Sequence, residues 1–360
     1  MARYLLKKGW IWGMIIAIGI VIAIVVSTLG DSLLAVTAAT KPSYIVKDLG
    51  TLGGDCYTDV LDINNVGQAV GSSCTSKMVR HAVSWYKGQI TDLTPDSPLT
   101  SFGTDINNTG EMVGLLYTNS SDHQAMLWDK GKTTNLGTLG GKSSAAHAIN
   151  NVGQVIGYSS TSSGDNHAVL WSKGNITDLG TLNGNSSNAR DINNAGQVVG
   201  DSTISNTRFR HAVLWEKGKK IDLGTLGGKD SFAVAINNAG KVVGYSSTTT
   251  YSYDGHAVLW DKRKITDLGT LDGNNSNSIA YDINNAGKVV GYSTTSAIAG
   301  YPTPRAVLWD KGSIKDLNSL IPPKSGWTLF YATSINDRGQ IVGYGFINGQ
   351  IQAFLLTPVK

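Results

Sequence analysis

The feature that most constrains this chain is an internal repeat of about 43 residues, which recurs seven times between Tyr44 and Lys360. Each copy carries variants of three signatures: an Asp-Leu-Gly-Thr-Leu-Gly-Gly run, an Ile-Asn-Asn-x-Gly turn and a His-Ala-Val-Leu-Trp strand. The turn isoleucines that mark the copies are Ile63, Ile106, Ile149, Ile192, Ile236, Ile283 and Ile335. A repeat of this length is one small structural unit that buries its apolar surface against its neighbours.

Each copy reads as four short strands, predicted in the fourth copy at 188–192, 197–202, 211–215 and 221–223. The connections through Asn-Asn-x-Gly and around Trp-x-Lys-Gly keep one length in every copy, whereas the other two connections vary. Because successive connections of an up-and-down sheet alternate between its ends, we expect constant turns at one end and variable loops at the other. The Asn pair is predicted to help its turn by tolerating left-handed backbone angles.

The two ends of the repeat region complement each other. Residues 44–49 resemble a fourth strand without the first three, and the last copy ends at 352–356 with three strands and no fourth. An open stack needs caps over its end faces, and the sequence shows none. We therefore predict an all-β fold, a seven-bladed β-propeller with four antiparallel strands per blade, closed by the N-terminal strand. A parallel β-helix or a ring of another size is the alternative.

A tryptophan recurs at one repeat position in six copies, and Leu356 takes this place in the seventh. The six are Trp85, Trp128, Trp171, Trp215, Trp260 and Trp309. Packing of blade against blade needs one large apolar side chain from each blade, so we predict core positions here rather than an aromatic ladder for sugars.

The three signatures together resemble the HAF-repeat family of probable extracellular repeat proteins. The resemblance covers about residues 44–358; the second copy departs from it at Leu93-Thr94-Pro95 and the seventh at Ala353-Phe354-Leu355-Leu356. It implies an extracellular location and a repeat fold, and it brings no established activity and no catalytic residues.

The N-terminal segment has the pattern of an export signal. Arg3, Lys7 and Lys8 precede an uncharged stretch over residues 9–30, and small residues follow at 35–39. The apolar run is also long enough to span a bilayer as a hydrophobic helix outside the fold. We predict a signal peptide or membrane anchor at 1–40 and the propeller at 41–360, facing outward, with membrane contact only through residues 9–30 if the leader is retained.

Composition and cysteine usage agree with a secreted β-protein. Only 16% of residues are charged, the formal net charge is +4, and half of that charge belongs to the leader. This near-neutral balance of charges is not typical of a nucleic-acid-binding protein. The only cysteines, Cys56 and Cys74, flank the first predicted hairpin, so we predict a disulfide between them. We expect a monomer without a cofactor or metal.

Two repeated sets of residues invite a metal interpretation that the spacing does not favour. His81, His167, His211 and His256 occupy one position in different copies and cannot converge on one ion, so we predict hydrogen bonds to loop backbone. Four aspartates precede the turn isoleucine, namely Asp62, Asp105, Asp191 and Asp282, but they lack the distal glutamate of a calcium loop. For these we predict turn-stabilising hydrogen bonds.

The sequence contains no nucleophile motif and no phosphate-binding loop. Its variable loops carry aromatic residues that break the repeat: Phe209, Tyr251, Tyr253, Tyr301 and Trp327. Aromatic side chains on the loops of a rigid scaffold are typical of recognition. We predict a secreted or surface-anchored, non-catalytic binding module for an extracellular protein or glycan.

Two other functions stay open. The first is an extracellular hydrolase or lyase with its site at the channel mouth. Two carboxylates within about 10 Å, or a histidine beside a carboxylate, would favour it. The second is a purely structural surface-layer or matrix protein, for which self-association is expected.

Overall fold

The computed structural model describes residues 42–205, 207–249, 255–262, 264–273, 276–298 and 301–359. The predicted leader at 1–40, with its hydrophobic helix, lies outside the described residues. Within the ranges given, no helix combines the length and the apolar character needed to cross a membrane.

The described chain is built from short strands and one 3₁₀ helix, Leu317–Leu320. The strands of the first half are β1 (Tyr44–Asp48), β2 (Asp59–Ile63), β3 (Ala69–Cys74), β4 (Arg80–Tyr86), β5 (Gln89–Asp92), β6 (Ser101–Ile106), β7 (Met112–Tyr117), β8 (His123–Asp129), β9 (Lys132–Asn135), β10 (Gly140–Ile149), β11 (Val155–Thr161), β12 (Asn166–Ser172) and β13 (Asn175–Asp178). Those of the second half are β14 (Ser187–Ile192), β15 (Val198–Thr203), β16 (Arg210–Glu216), β17 (Lys219–Asp222), β18 (Ser231–Ile236), β19 (Val242–Ser247), β20 (Gly255–Asp261), β21 (Lys264–Asp267), β22 (Ser278–Ile283), β23 (Val289–Ile298), β24 (Tyr301–Asp310), β25 (Ser313–Asp316), β26 (Thr328–Ile335), β27 (Ile341–Ile347) and β28 (Gln350–Pro358).

These strands form seven four-stranded antiparallel sheets, which are the blades of a β-propeller. Six blades are consecutive in sequence, from β2-β3-β4-β5 to β22-β23-β24-β25. The seventh has the order β1-β28-β27-β26, with Tyr44 opposite Pro358 and Asp48 opposite Phe354. The predicted ring of seven blades, closed by the N-terminal strand, is therefore confirmed.

The repeated tryptophans pack one blade against the next. Trp215 of the fourth blade contacts a cluster that includes Ala148 and Ile156 of the third. Trp85 of the first blade packs with Val342 and Ala353 of the seventh, so the apolar layer continues across the closure. The predicted core role of this repeat position is confirmed.

Glycine and lysine supply most of the positive φ angles of the blades, and among the described residues asparagine does so only at Asn183 and Asn348. In the third blade Lys173 and Gly174 have φ of 51° and 78°, as a type I′ hairpin requires. In the first hairpin of that blade Gly153 has φ 77°, whereas Asn150 and Asn151 are not among the residues with positive φ. The predicted left-handed role of the Asn pair is thus wrong.

The first two blade strands approach each other closely at one repeated glycine. A Cβ on Gly157 would lie 1.9 Å from the backbone oxygen of Ala145, so this position of β11 excludes any side chain.

The two cysteines form the predicted disulfide. Cys56 lies just before β2 and Cys74 ends β3, with their Cα atoms 5.8 Å apart. The bond ties the start of the first blade to its second strand.

The central channel as a candidate functional site

The first strand of each blade faces the axis of the ring, and these seven strands enclose a central channel. We call the two openings the turn end, formed by the Ile-Asn-Asn turns, and the loop end, formed by the connections between second and third strands and between blades. At the turn end, residues from all seven turns line a cavity of about 170 Å³.

The first asparagine of each turn joins its blade to the next. Asn64 Nδ2 donates to the backbone oxygen of Asn107 at 3.0 Å, and the same bond recurs from blade to blade. Asn336 Nδ2 donates to the backbone oxygen of Asn64 at 2.9 Å and so completes the circle. These side chains are buried, so the circle is a structural seam.

The second asparagine of each turn forms a parallel circle. Asn65 N donates to Asn108 Oδ1 at 2.8 Å, and the bond again repeats around the ring. In the seventh blade Asp337 takes this place, accepting from Asn285 N and donating its own N–H to Asn65 Oδ1. The carboxylate also accepts from the side-chain amides of Asn65 and Asn285, and these bonds lower the pKa of Asp337 although burial acts against them.

The four aspartates before the turn isoleucines also bridge blades. Asp191 accepts from the N–H of Ile192 in its own blade and of Ile236 in the next, both at 2.7 Å. One aspartate therefore serves two blades, and the next blade can carry an alanine, as Ala148 and Ala235 do. The predicted turn bond exists, but the bond to the following blade was not predicted.

A ring of seven cannot alternate perfectly, and two aspartates become neighbours where the alternation fails. Asp62 Oδ2 and Asp105 Oδ1 both accept from Ile106 N, so the two carboxyl groups lie side by side. Burial, followed by the neighbouring Asp62, raises the pKa of Asp105 well above its usual range. Burial likewise raises the pKa of both Asp191 and Asp282 to about 7.

The loop end of the channel carries an arc of aromatic side chains from the fifth to the seventh blades. Its members come from first and second blade strands and are half-buried. Neighbouring rings are in contact, with centroids 5.8 Å apart for Tyr281–Tyr292, 4.9 Å for Tyr292–Tyr331 and 4.8 Å for Tyr331–Tyr344. In the fifth blade Phe232 stacks on Tyr245 at 4.7 Å. We call Phe232, Tyr245, Tyr281, Tyr292, Tyr331 and Tyr344 the aromatic arc.

The hydroxyl groups of the aromatic arc stay available. None of the hydrogen bonds among the described residues involves the hydroxyls of Tyr245, Tyr281, Tyr292, Tyr331 or Tyr344. Burial raises the pKa of Tyr245 and Tyr331, so both are neutral phenols at physiological pH. The arc therefore combines half-buried rings with hydroxyl groups that are unbonded among the described residues.

The facing wall, in the third and fourth blades, is charged. Asp201 is 2% exposed and receives two guanidinium groups, from Arg190 Nε at 2.7 Å and from Arg210 Nε. A β-bulge between Ala189 and Asp191 leaves Arg190 out of the strand pairing. Next to it, burial and then the Arg190 charge lower the pKa of His147 to about 4, so this imidazole is neutral.

The aromatic loop residues predicted as ligand contacts have different surroundings. Phe209 lies beneath two cations, with Lys229 Nζ 4.7 Å and Arg208 Cζ 5.7 Å from its ring centroid. Trp327 packs edge-on against Phe354, 5.9 Å away, beside the core of the seventh blade. Tyr301 begins β24 opposite Ile298. Tyr251 and Tyr253 lie outside the described residues.

The repeated histidines pair with the aspartate of the Asp-Leu-Gly run. Nδ1 of His81, His167 and His256 lies 2.7 Å from Asp92, Asp178 and Asp267, and His211 lies 2.8 Å from Asp222. The predicted bond to loop backbone holds only for His81 Nε2, which lies 3.0 Å from the backbone oxygen of Ser97. The prediction was otherwise wrong because the carboxylate lies on the neighbouring strand, opposite the valine two residues after the histidine.

Metal binding finds no support in these groups. Among the described residues, no three His, Cys, Asp or Glu side chains are placed to hold one ion.

The arc and the charged wall were missed because their residues lie within strands. The useful signal was the residue after the repeated glycine, which varies although that glycine does not: Ser72, Leu115, Tyr158, Asp201, Tyr245, Tyr292 and Tyr344. Variation at one position of a constant strand marks a surface that the scaffold itself does not need.

Comparisons with known proteins agree on the fold. The profile of the DUF3466 family, described as a protein of unknown function, matches residues 229–348. No curated protein matches the sequence significantly.

Several solved propellers are similar in structure at low sequence identity. The β-propeller domain of the Trilobed protease from Pyrococcus furiosus, which has an open velcro topology, is 11% identical over 85% of this chain and 97% of its own, with a TM-score of 0.54. A puromycin-hydrolyzing peptidase of Mycobacterium tuberculosis is 11% identical over 87% of this chain and 55% of its own, with a TM-score of 0.53. YCF48 bound to D1 peptide is 12% identical over 91% of this chain and 100% of its own, with a TM-score of 0.51. At such identities these likenesses establish a propeller and nothing more.

Proposed function

We propose that this protein is an extracellular, non-catalytic binding module that recognises a protein or glycan at the loop end of its channel. The single observation that carries the proposal is the aromatic arc, whose rings are half-buried and whose tyrosine hydroxyls have no hydrogen-bond partner among the described residues. Concave sites lined by aromatic rings and a few polar groups are the usual form of ligand-binding sites.

The location rests on separate features. The Cys56–Cys74 disulfide fits an oxidising compartment, and the segment at 1–40 has the pattern of an export signal. The resemblance to HAF-repeat proteins implies the same location. Because one fold supports many functions, the fold itself is neutral between binding and hydrolysis.

A binding screen with matched variants tests the proposal. The full chain is passed over a glycan array and used to capture extracellular proteins, beside the double variant Tyr292→Phe/Tyr331→Phe. We expect the variant to lose at least roughly tenfold in affinity, because two hydrogen bonds to the ligand are removed. Tyr86→Phe is the control, since Tyr86 is 40% exposed in a hairpin at the opposite end of its blade.

Two results would contradict this function. Equal capture by wild type and double variant would place the binding surface elsewhere. An absence of any ligand, together with concentration-dependent self-association in sedimentation velocity, would support a structural surface-layer protein instead.

A hydrolase or lyase is the second candidate because the carboxyl groups of Asp62 and Asp105 are neighbours at the channel mouth and burial raises the pKa of Asp105. A carboxyl pair of this kind can divide acid and base roles between its members. Their oxygens, however, already accept from Ile106 N, Ile149 N and Ser334 Oγ, with distances of 2.6 to 3.2 Å. We therefore assign the pair to the seam between blades.

Asp105→Asn decides between these roles. Hydrolysis of any glycan or peptide substrate by the wild type, with loss of at least a thousandfold in this variant, would establish catalysis. An unchanged binding profile with a lower melting temperature is the result we expect.

A further inference from the structure

The charged wall holds an arginine whose hydrogen-bonding capacity is only partly used. Arg190 Nε donates to Asp201, but no described residue accepts from either Nη of Arg190. Its side chain is 23% exposed, so the free edge of the guanidinium is accessible. A guanidinium edge of this kind matches a carboxylate with two parallel hydrogen bonds.

Positive charge continues from this arginine toward the loops of the fourth blade. Asp201 is shared by Arg190 and Arg210, which leaves one positive charge in excess. The backbone N–H of Arg210 donates to Asp230, whose chain neighbour Lys229 lies over Phe209 together with Arg208. Four cations and two carboxylates thus form one connected group, whose net charge is positive.

Apart from Asp201, which Arg190 shares with Arg210, the groups beside Arg190 carry no negative charge. His147 is uncharged, because burial and the Arg190 charge lower its pKa to about 4. Tyr245, the nearest member of the aromatic arc, is a neutral phenol whose pKa is raised by burial. An anion entering the loop end would therefore meet a positive group with free donors.

The aromatic arc indicates what the anion belongs to. A sugar ring has an apolar face bordered by hydroxyl groups, and the arc combines half-buried aromatic rings with tyrosine hydroxyls that are unbonded among the described residues. The combination favours a saccharide over a peptide.

We propose that the loop end of the channel binds a uronic acid saccharide, with the carboxylate on Arg190 and the sugar ring against the aromatic arc. The assignment rests on the proposed binding function and specifies its ligand class. In a longer saccharide, the next uronate units lie along Arg210, Arg208 and Lys229.

The test separates charge from shape. The full chain is titrated calorimetrically with oligomers of galacturonate, glucuronate, mannuronate and guluronate, and with the methyl ester of each. We expect at least one acid form to bind, its methyl ester to bind at least roughly tenfold more weakly, and its affinity to fall with added salt.

Variants identify the residue. Arg190→Gln should reduce the affinity for the acid form at least roughly tenfold and leave the ester unchanged, while Asp201 keeps its partner Arg210. The affinity of Arg190→Lys for the acid form should lie between those of the wild type and Arg190→Gln, because a single ammonium group replaces the two parallel donors of the guanidinium. Arg338→Gln removes the same charge from an exposed turn at the opposite end and should change nothing.

The outcomes are distinguishable. The assignment of Arg190 is overturned if acid and ester bind with equal affinity. It is also overturned if Arg338→Gln loses as much affinity for the acid form as Arg190→Gln does. Binding of neutral glycans or proteins alone overturns the uronate class while the proposed binding function stands. Absence of every ligand in the wild type overturns both, and the ester comparison remains decisive even if Arg190→Gln fails to fold.

Discussion

The two ends of the channel use polar groups in opposite ways. At the turn end, the buried amide of Asn150 donates to Asn193 and Gln154 and accepts from two backbone N–H groups. At the loop end, Tyr331 contacts two other tyrosine rings, and its hydroxyl has no protein partner. Polar groups with complete sets of partners hold the ring together, and those without partners are free to bind.

The largest expected effect is at the turn end. Asn150→Ala removes four hydrogen bonds at a buried site and leaves backbone groups unsatisfied, so we expect a loss of about 3 kcal/mol in the free energy of unfolding. Asn151→Ala removes one exposed bond, that from Asn108 N, and should cost less than about 1 kcal/mol. Denaturant titration measures the free energy of unfolding of both variants. Similar losses in the two would contradict the structural role of the buried first asparagine.

The carboxylates of the turn end should give an unusual pH dependence. The folded pKa of Asp191 and Asp282 is about 7, against about 3.9 in an unfolded chain, so the folded state binds more protons between these values. Their contribution is present below the unfolded pKa and is lost as pH rises through 7. We expect the melting temperature to fall between pH 5 and pH 8.

Asp191→Asn tests whether Asp191 causes this slope, the fall of the melting temperature between pH 5 and pH 8. An amide oxygen can replace only one of the two acceptors for Ile192 N and Ile236 N, so the variant should be less stable than wild type at pH 5. At pH 8 the difference should shrink, because the wild type then carries a buried charge. Asp337→Asn should leave the slope unchanged, since the pKa of Asp337 is lowered.

A smaller effect is expected at the histidine pairs of the outer strands. His211→Gln, which copies the residue of the second blade, replaces a partly exposed ion pair and should cost under about 1 kcal/mol. The hydrogen bond to Asp222 raises the pKa of His211, so its contribution is present below about pH 6.5 and lost as pH rises through the folded value. Melting curves at pH 5.5 and 9 should differ from wild type only at the lower pH.

The smallest effect on stability is expected at the loop end. Tyr331→Phe removes a hydroxyl without a protein partner, so the free energy of unfolding should change by less than about 0.5 kcal/mol. Ligand affinity should fall in the same variant. A large loss of stability would show that the aromatic arc belongs to the scaffold.

The repeat made the ring predictable. Constant connection lengths defined the blades, the incomplete ends defined the closure, and residue numbering alone paired Cys56 with Cys74. These features depend on local sequence or on the number of residues between repeated motifs, and both can be read from one sequence.

The direction of side chains toward the channel was not predictable in the same way. Each first strand carries a bulge just before its turn, as between Ala189 and Asp191, and a bulge breaks the two-residue alternation that assigns faces. The bonds of the seam join residues in successive copies, such as Asn64 and Asn107, so no local pattern reveals them. The sequence therefore pointed to loop aromatics such as Trp327 and gave no sign that the tyrosines within the strands lie at the channel.

Closure by β1 also constrains when the molecule can be completed. The first strand to leave the ribosome pairs with the last, more than 300 positions later, and bringing such distant ends together costs about 5 kcal/mol of chain entropy. Blades one to six can assemble during synthesis, but pairing of β1 must wait for β28. Until then β1 is an unpaired edge, so synthesis of β28 is the step that allows a row of sheets to close into a ring.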